Sequence, residues 1–246
     1  DANPADRIKL PKDDDEFEAR PMSADELRKF FAAAAGNRFF ALFVTCAYTG
    51  MRQGELLGLR WEDVELDRRF IQVRQGLKDI TRAEGAVYGP PKSKTSRRKM
   101  KLSPVVVATL RSHRARQDAE REDWGPDWQD NGLVFPARGG MPMRRQNLER
   151  RDLKGILQKA GLDPAIRFHD LRHTNATLLA EAGVAPKVIA DWLGHATIGM
   201  AMDLYAHVLD TGYESAVDAI DELDLLGPAP RKPRITVRKY RKANRP

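Results

Sequence analysis

Apolar side chains recur every three to four residues along most of this chain and alternate with polar ones over a single stretch. That pattern predicts a mainly helical α+β protein. Ser23 and Glu26 have the spacing of a capping box, Met22 and Leu27 can staple it, and Leu27, Phe30, Phe31 and Ala34 line one face of the helix that follows. A second helix is expected over residues 37–48, stopping at Gly50, and a short third one over residues 52–59 with Arg52 and Glu55 one turn apart. Ile71 and Val73, then Met100 and Leu102, alternate with polar neighbours, so two or three antiparallel strands are expected as a small β-sheet at about residues 63–103. Everything afterwards reads as helix. Ser103 and Pro104 fit a cap and first position, and Leu148, Leu153, Ile156, Leu157 and Ala160 line a helix that ends at Gly161. Further helices are expected over residues 169–182, 186–193, 198–208 and 213–226. The Asp- and Pro-rich residues 1–21 read as a linker, residues 22–226 as one domain, and residues 227–246 as a basic C-terminal tail, disordered in isolation.

Composition adds constraints. The 246 residues include a single cysteine, Cys46, set in an apolar run; this excludes a disulfide framework and suggests a small buried hydrophobe in a reducing compartment. No stretch has the length and apolarity of a membrane span, and the first residues are acidic and polar where a signal peptide would be basic and then apolar, so a cytoplasmic protein is expected. The chain opens on Asp1 with no starting methionine and reads as a fragment of something longer. The formal charge of +7 is uneven: residues 231–246 hold eight Lys or Arg and no acid, which leaves 34 basic against 35 acidic side chains elsewhere. Overall basicity therefore says little about nucleic acid, and local clusters say more. Lys92, Lys94, Arg97, Arg98, Lys99 and Lys101 form one such cluster, readable as a DNA-binding hairpin or as a solvated charged one.

Three distant segments carry the candidate chemistry. They are Thr49-Gly50-Met51-Arg52-Gln53-Gly54-Glu55, His169-Asp170-Leu171-Arg172-His173, and Leu193-Gly194-His195 with Tyr205 ten residues on. Two arginines, two histidines and a tyrosine can make a metal-free phosphoryl-transfer site, because a guanidinium fork pairs with phosphate oxygens and a phenol can attack phosphorus. His169 and Arg172 leave one helical face a turn apart and could reach one phosphate. The rival is a zinc helix, since His169 and His173 are four apart; against it, aspartate replaces the glutamate base, Arg172 would lie close to the metal, and no third ligand stands out.

Together and in this order, the three segments resemble the boxes of the tyrosine recombinases, the phage-integrase family, and the resemblance spans about residues 22–226. It implies a recombinase or integrase that cleaves and rejoins DNA through a 3′-phosphotyrosyl bond to Tyr205, without metal, ATP or other cofactor. Arg52 and Arg172 would clamp the non-bridging oxygens, His195 would donate a further hydrogen bond, His169 would be general base, and Glu55 would orient Arg52. His173 and His207 would support the site. The family also carries a general-acid lysine on the hairpin, for which Lys92, Lys94 and Lys99 compete; Lys94, in a Lys-Thr pair eight residues before Leu102, fits best. Tyr213 is the main competitor of Tyr205, while Tyr48 falls in an apolar helix and Tyr88 in the hairpin loop. His113 reads as helix surface, and Trp192, Val188, Ile189 and Leu193 as core. The implied partners are double-stranded DNA attachment sites, other copies in a homotetramer on DNA, and accessory DNA-bending or directionality factors, with no membrane. The family's helical core-binding domain has no counterpart here, so an incomplete grip on DNA is expected. A type IB topoisomerase and a non-cleaving DNA-binding module of the same fold are the alternatives; the complete set of catalytic residue types argues against the second.

Overall fold

A computed structural model describes residues 19–81, 83, 85–90 and 97–194. These all lie in the first of two units into which the chain divides, Asp1–Val208. The linker residues 1–18, Lys92, Lys94, His195, Tyr205, His207, Tyr213, the helices expected beyond residue 197 and the basic tail lie outside the described residues.

The N-terminal helix α1 (Ala24–Ala34) starts as its sequence dictates: Glu26 N donates to Ser23 Oγ (3.2 Å) and Ser23 N to Glu26 Oε2 (2.8 Å). Leu27, Phe30 and Ala34 face inward, with Met22 buried beside them. Helix α2 (Phe40–Thr49) is apolar nearly all round and correspondingly buried against α1, a later helix α4 (Pro104–Trp124) and α7 (Phe168–Glu181). It begins three residues later than its pattern suggests, because Asn37 Oδ1 accepts from Phe39 N (2.7 Å) and holds a turn there. Phe30 meets Phe43 edge-on at 5.4 Å, and Phe43 meets Phe168 at 6.0 Å, tying α1, α2 and α7 into one core.

Gly50 ends α2 in the left-handed region at φ 62°, its N–H returning to the Cys46 carbonyl at 2.7 Å. Here glycine is required twice over. A Cβ would stand 2.3 Å from Leu193 Cδ2 and 2.8 Å from Asn175 Oδ1, so any side chain would push apart two elements that must touch. The short α3 (Gln53–Leu57) follows at once.

The β segment is larger than the two or three strands expected. Strands β1 (Val64–Glu65), β2 (Phe70–Gln72) and β5 (Lys99–Lys101) form an antiparallel sheet with Val64 opposite Ile71 and Ile71 opposite Met100. Strands β3 (Gly76–Thr81) and β4 (Gly85–Gly89) form a separate hairpin. A register shift between Leu77 and Asp79 breaks the alternation of β3, which hid it from a period-two reading. Tyr88 lies in β4 and not in a loop.

Ser103 caps α4, its Oγ accepting from Val106 N at 3.3 Å, with Pro104 at the first position. Beyond α4 the expectation of helix fails over residues 125–144, where Gly125, Gly132, Gly139 and Gly140 take positive φ and Leu133 bridges to Arg60. His113 on α4 is also not surface: it is 7% exposed, Nε2 lies 2.6 Å from the Val134 carbonyl, and Arg116 Nη2 lies 3.0 Å from Nδ1. Those partners fix a neutral ring protonated at Nε2, and burial pushes its pKa down to about 4.

Helices α5 (Arg145–Asn147) and α6 (Lys154–Ala160) are joined by a π-helical turn, Leu148–Leu153, which lets two leucines five residues apart both point inward. Helix α6 ends at Gly161 as expected. Helix α8 (Pro186–Leu193) closes the described chain. Ile189 and Leu193 are core and Trp192 is half-buried, but Val188 is 55% exposed and does not belong to that core.

Candidate active site

Arg52 is the N-cap residue of α3, so its backbone is extended (φ −67°, ψ 149°) and its side chain leaves at the helix start. Glu55, one turn on, takes Arg52 N at 3.0 Å through Oε2 and Arg52 Nη1 at 2.9 Å through Oε1. The other end of the guanidinium reaches across the fold: Nη2 donates to the Gly194 carbonyl at 3.1 Å.

Arg172, one turn into α7, is 4% exposed. Its Nη1 donates to the Gly50 carbonyl (2.6 Å) and its Nη2 to the Leu193 carbonyl (2.8 Å). Both arginines therefore converge on the end of α8, at consecutive carbonyls immediately before His195. Burial, then the neighbouring Arg52 and Arg98, push the Arg172 pKa down to about 9, which still leaves it charged at neutral pH. Asn175 completes this junction by donating Nδ2 to the Ala47 carbonyl at 2.8 Å.

Asp170, the acid beside His169, is spent on structure. Its Oδ2 accepts from Arg167 N (2.8 Å) at the start of α7 and its carbonyl takes Thr174 Oγ1 (2.8 Å), which in turn accepts from Met22 N at 2.9 Å. The His169 and His173 rings meet edge to face at 4.8 Å. Although the His169 ring is open to solvent on one side, desolvation by the surrounding protein, then His173 and Arg172, push its pKa down to about 4. With its pKa lowered, the ring is a neutral base at pH 7. His173 is lowered too, by burial first. Among the described residues no three His, Cys, Asp or Glu side chains converge as a metal site.

Glu55 is the buried centre of the arrangement, its side chain 4% exposed. Burial alone would raise its pKa; Arg98, by charge and by hydrogen bond, and then Arg52 outweigh this and hold the carboxyl below its usual range. Arg98 is the residue whose location the sequence reading did not foresee. Its cluster reads from sequence as a DNA-binding or a solvated charged hairpin, yet the Arg98 side chain is 9% exposed and turns inward onto Glu55. Period two could have found it, because Arg98, Met100 and Leu102 share a face while Arg97, Lys99 and Lys101 are exposed. Lys99 extends over the Phe70 ring at 4.4 Å and lies 3.6 Å from Glu65. Cys46 is fully buried with Sγ 3.6 Å from the Met51 carbonyl, and burial raises its thiol pKa, so it packs beneath the first arginine box as an unreactive group.

The fold is that of tyrosine recombinase catalytic domains. The chain matches the Tn1549 transposon integrase, solved in complex with transposon right end DNA, at a TM-score of 0.69 and 25% identity over 86% of this chain and 68% of that one. It matches XerA recombinase at 0.62 and 25%, over 91% and 68%. The phage integrase family model matches residues 20–211, and the chain belongs to that family. A tyrosine recombinase XerC-like protein of Caldanaerobacter subterraneus subsp. tengcongensis is 33% identical over 223 residues, covering 87% of this chain and 56% of the relative. The ICEBs1 integrase of Bacillus subtilis is 28% identical over 202 residues, 81% of this chain and 53% of that protein. The chain thus spans about half the length of such relatives.

Proposed function

We propose that the protein is a site-specific DNA recombinase of the integrase type, cutting and rejoining DNA through a 3′-phosphotyrosyl intermediate on Tyr205. The observation that carries this reading is the convergence of Arg52 and Arg172 on the adjacent carbonyls of Leu193 and Gly194. Two forks held at one spot, next to a neutral His169 and just ahead of His195, suit an anion whose charge grows during reaction.

In the proposed reaction the Tyr205 Oη attacks phosphorus while the bond from phosphorus to the 5′ oxygen breaks. His169 takes the phenolic proton, and Lys94 gives a proton to the departing 5′ oxygen. Arg52, Arg172 and His195 hold the non-bridging oxygens. The phosphoester stores the energy of the broken bond, so attack by a 5′ hydroxyl from another strand reseals it without ATP. Strand exchange on double-stranded attachment sites, as a homotetramer with accessory factors, follows from the same reading, as does the grouping of residues 22–226 as the catalytic domain.

The deciding experiment is a suicide-substrate assay with nicked duplexes carrying candidate attachment sequences. A covalent protein–DNA band that persists in EDTA is expected; its loss in chelator and return with zinc would transfer the reaction to a metal site at His169 and His173.

The general acid has its own signature. Lys94→Ala should slow cleavage by roughly 10²–10⁴-fold, the range of general acid–base catalysis, and a 5′-bridging phosphorothiolate should restore it, since a thiolate leaves without a proton. Arg172→Ala should gain nothing from the sulfur. Rescue of Lys92→Ala in its place would move the proton donor two residues.

A further inference from the structure

Arg98 ties together segments that are remote in sequence. Its Nη1 and Nη2 fork across Glu55 Oε1 (3.4 Å) and Oε2 (3.1 Å), and its Nε donates to the Trp192 carbonyl at 2.9 Å. Arg52 Nη1 holds Glu55 Oε1 at 2.9 Å and sends Nη2 to Gly194. Glu55 and the last turn of α8 are thus linked along two routes, one through each arginine. Among the described residues, the charged and titratable groups that face Glu55 are Arg98 from just before β5, Arg52 from the start of its own helix, Arg172 from α7 and the Cys46 thiol from α2.

A buried carboxyl grips a guanidinium strongly only while it is ionised, and burial works against that state. Arg98 supplies the largest opposing influence. Without it, only Arg52 would oppose burial, so the Glu55 carboxyl would shift towards its protonated form, the charged anchor of Arg52 would weaken, and the Trp192 carbonyl would lose its Arg98 donor.

We propose that Arg98 is a positioning residue: it locks Glu55, and through it Arg52, to the end of α8 and so aims the phosphate clamp. This role rests on the recombinase reading above. It differs in kind from a groove contact, which would serve affinity alone.

The test compares Arg98→Met, Arg98→Lys and Arg98→Met/Glu55→Gln with the unaltered chain on a nicked duplex. It measures single-turnover formation of the covalent band at saturating DNA, binding affinity, and stability, each from pH 5 to 9. Arg98→Met should slow the band by roughly 10–100-fold, the range over which outer partners of reactive groups act, with affinity within about twofold. The deficit should deepen as pH falls, because Glu55 then protonates within the range studied. Glu55→Gln in that background should remove the added pH dependence, and Arg98→Lys, charged but unable to fork, should recover part of the rate.

Stability has a definite sign. In the unaltered chain the depressed Glu55 contributes fully above its ordinary value of 4.5 and loses that contribution as pH falls through its folded value. In Arg98→Met the folded value is raised, so stability falls as pH climbs towards it, and the gap between the two proteins should widen with pH from about 4.5 upward. If Arg98→Met does not fold, Arg98→Lys carries the same comparison with a smaller gap.

Arg98 would be a groove contact instead if Arg98→Met weakened binding and lowered the salt slope by about one while leaving the saturated rate intact. The two failures are separable. No band from the unaltered chain on any duplex removes the recombinase reading, whereas a band together with a pH-independent stability gap removes the role of Arg98.

Discussion

Replacing Tyr205 by phenylalanine should abolish the covalent protein–DNA band while leaving DNA affinity within about twofold, because only the phenolic oxygen is removed. The expected loss is total within detection, since phenylalanine cannot form a phosphoester. Tyr213→Phe should still form the band. Gel separation of radiolabelled nicked substrate after denaturation reads both variants, and a band retained in Tyr205→Phe but lost in Tyr213→Phe would reassign the nucleophile.

Arg172→Ala should fail in two measurable ways. Chemistry should drop by at least roughly 10²–10³-fold, the cost of removing a donor aimed at developing negative charge. Stability should fall by about 2–4 kcal/mol, because two charge-assisted hydrogen bonds vanish and the buried Gly50 and Leu193 carbonyls lose their donor. Arg172→Lys separates the two effects: an ammonium can satisfy one carbonyl and keep the charge, so denaturation by urea should show partial recovery while the saturated cleavage rate stays low. Recovery of rate in step with stability would reduce Arg172 to a structural brace.

Much of this arrangement is legible in the sequence because its signals are local. The capping box at Ser23, the Gly50 and Gly161 stops, Pro104 and Pro186 at helix starts, and the first two boxes each announce themselves within a few residues. What escaped notice depends on partners far along the chain. His113 reads as surface because its helix is polar, and only the Val134 carbonyl with Trp61 and Phe135 makes its site an interior one. Arg98 reads as one cation among six, and Glu55, 43 residues earlier, and the Trp192 carbonyl, 94 residues later, draw it inward. The hairpin β3–β4 was lost to a bulge, and residues 125–144 to glycines whose positive φ no hydrophobic period records.

The close meeting of Gly50 with Leu193 bears on how the protein comes into being. Arg52 finds its carbonyl partner 142 residues downstream, and Arg172 finds one partner 122 residues before it and another 21 after it. A ribosome delivers the N-terminal box first, and helices α1 to α7 can begin to pack while the end of α8 is still unmade. During that interval the arginines have no anchor at Leu193 or Gly194 and the proposed nucleophile has not been synthesised. A chain that stops short of Leu193 therefore lacks the carbonyls that hold both arginines, and the proposed phosphate clamp is set only once the end of α8 has emerged.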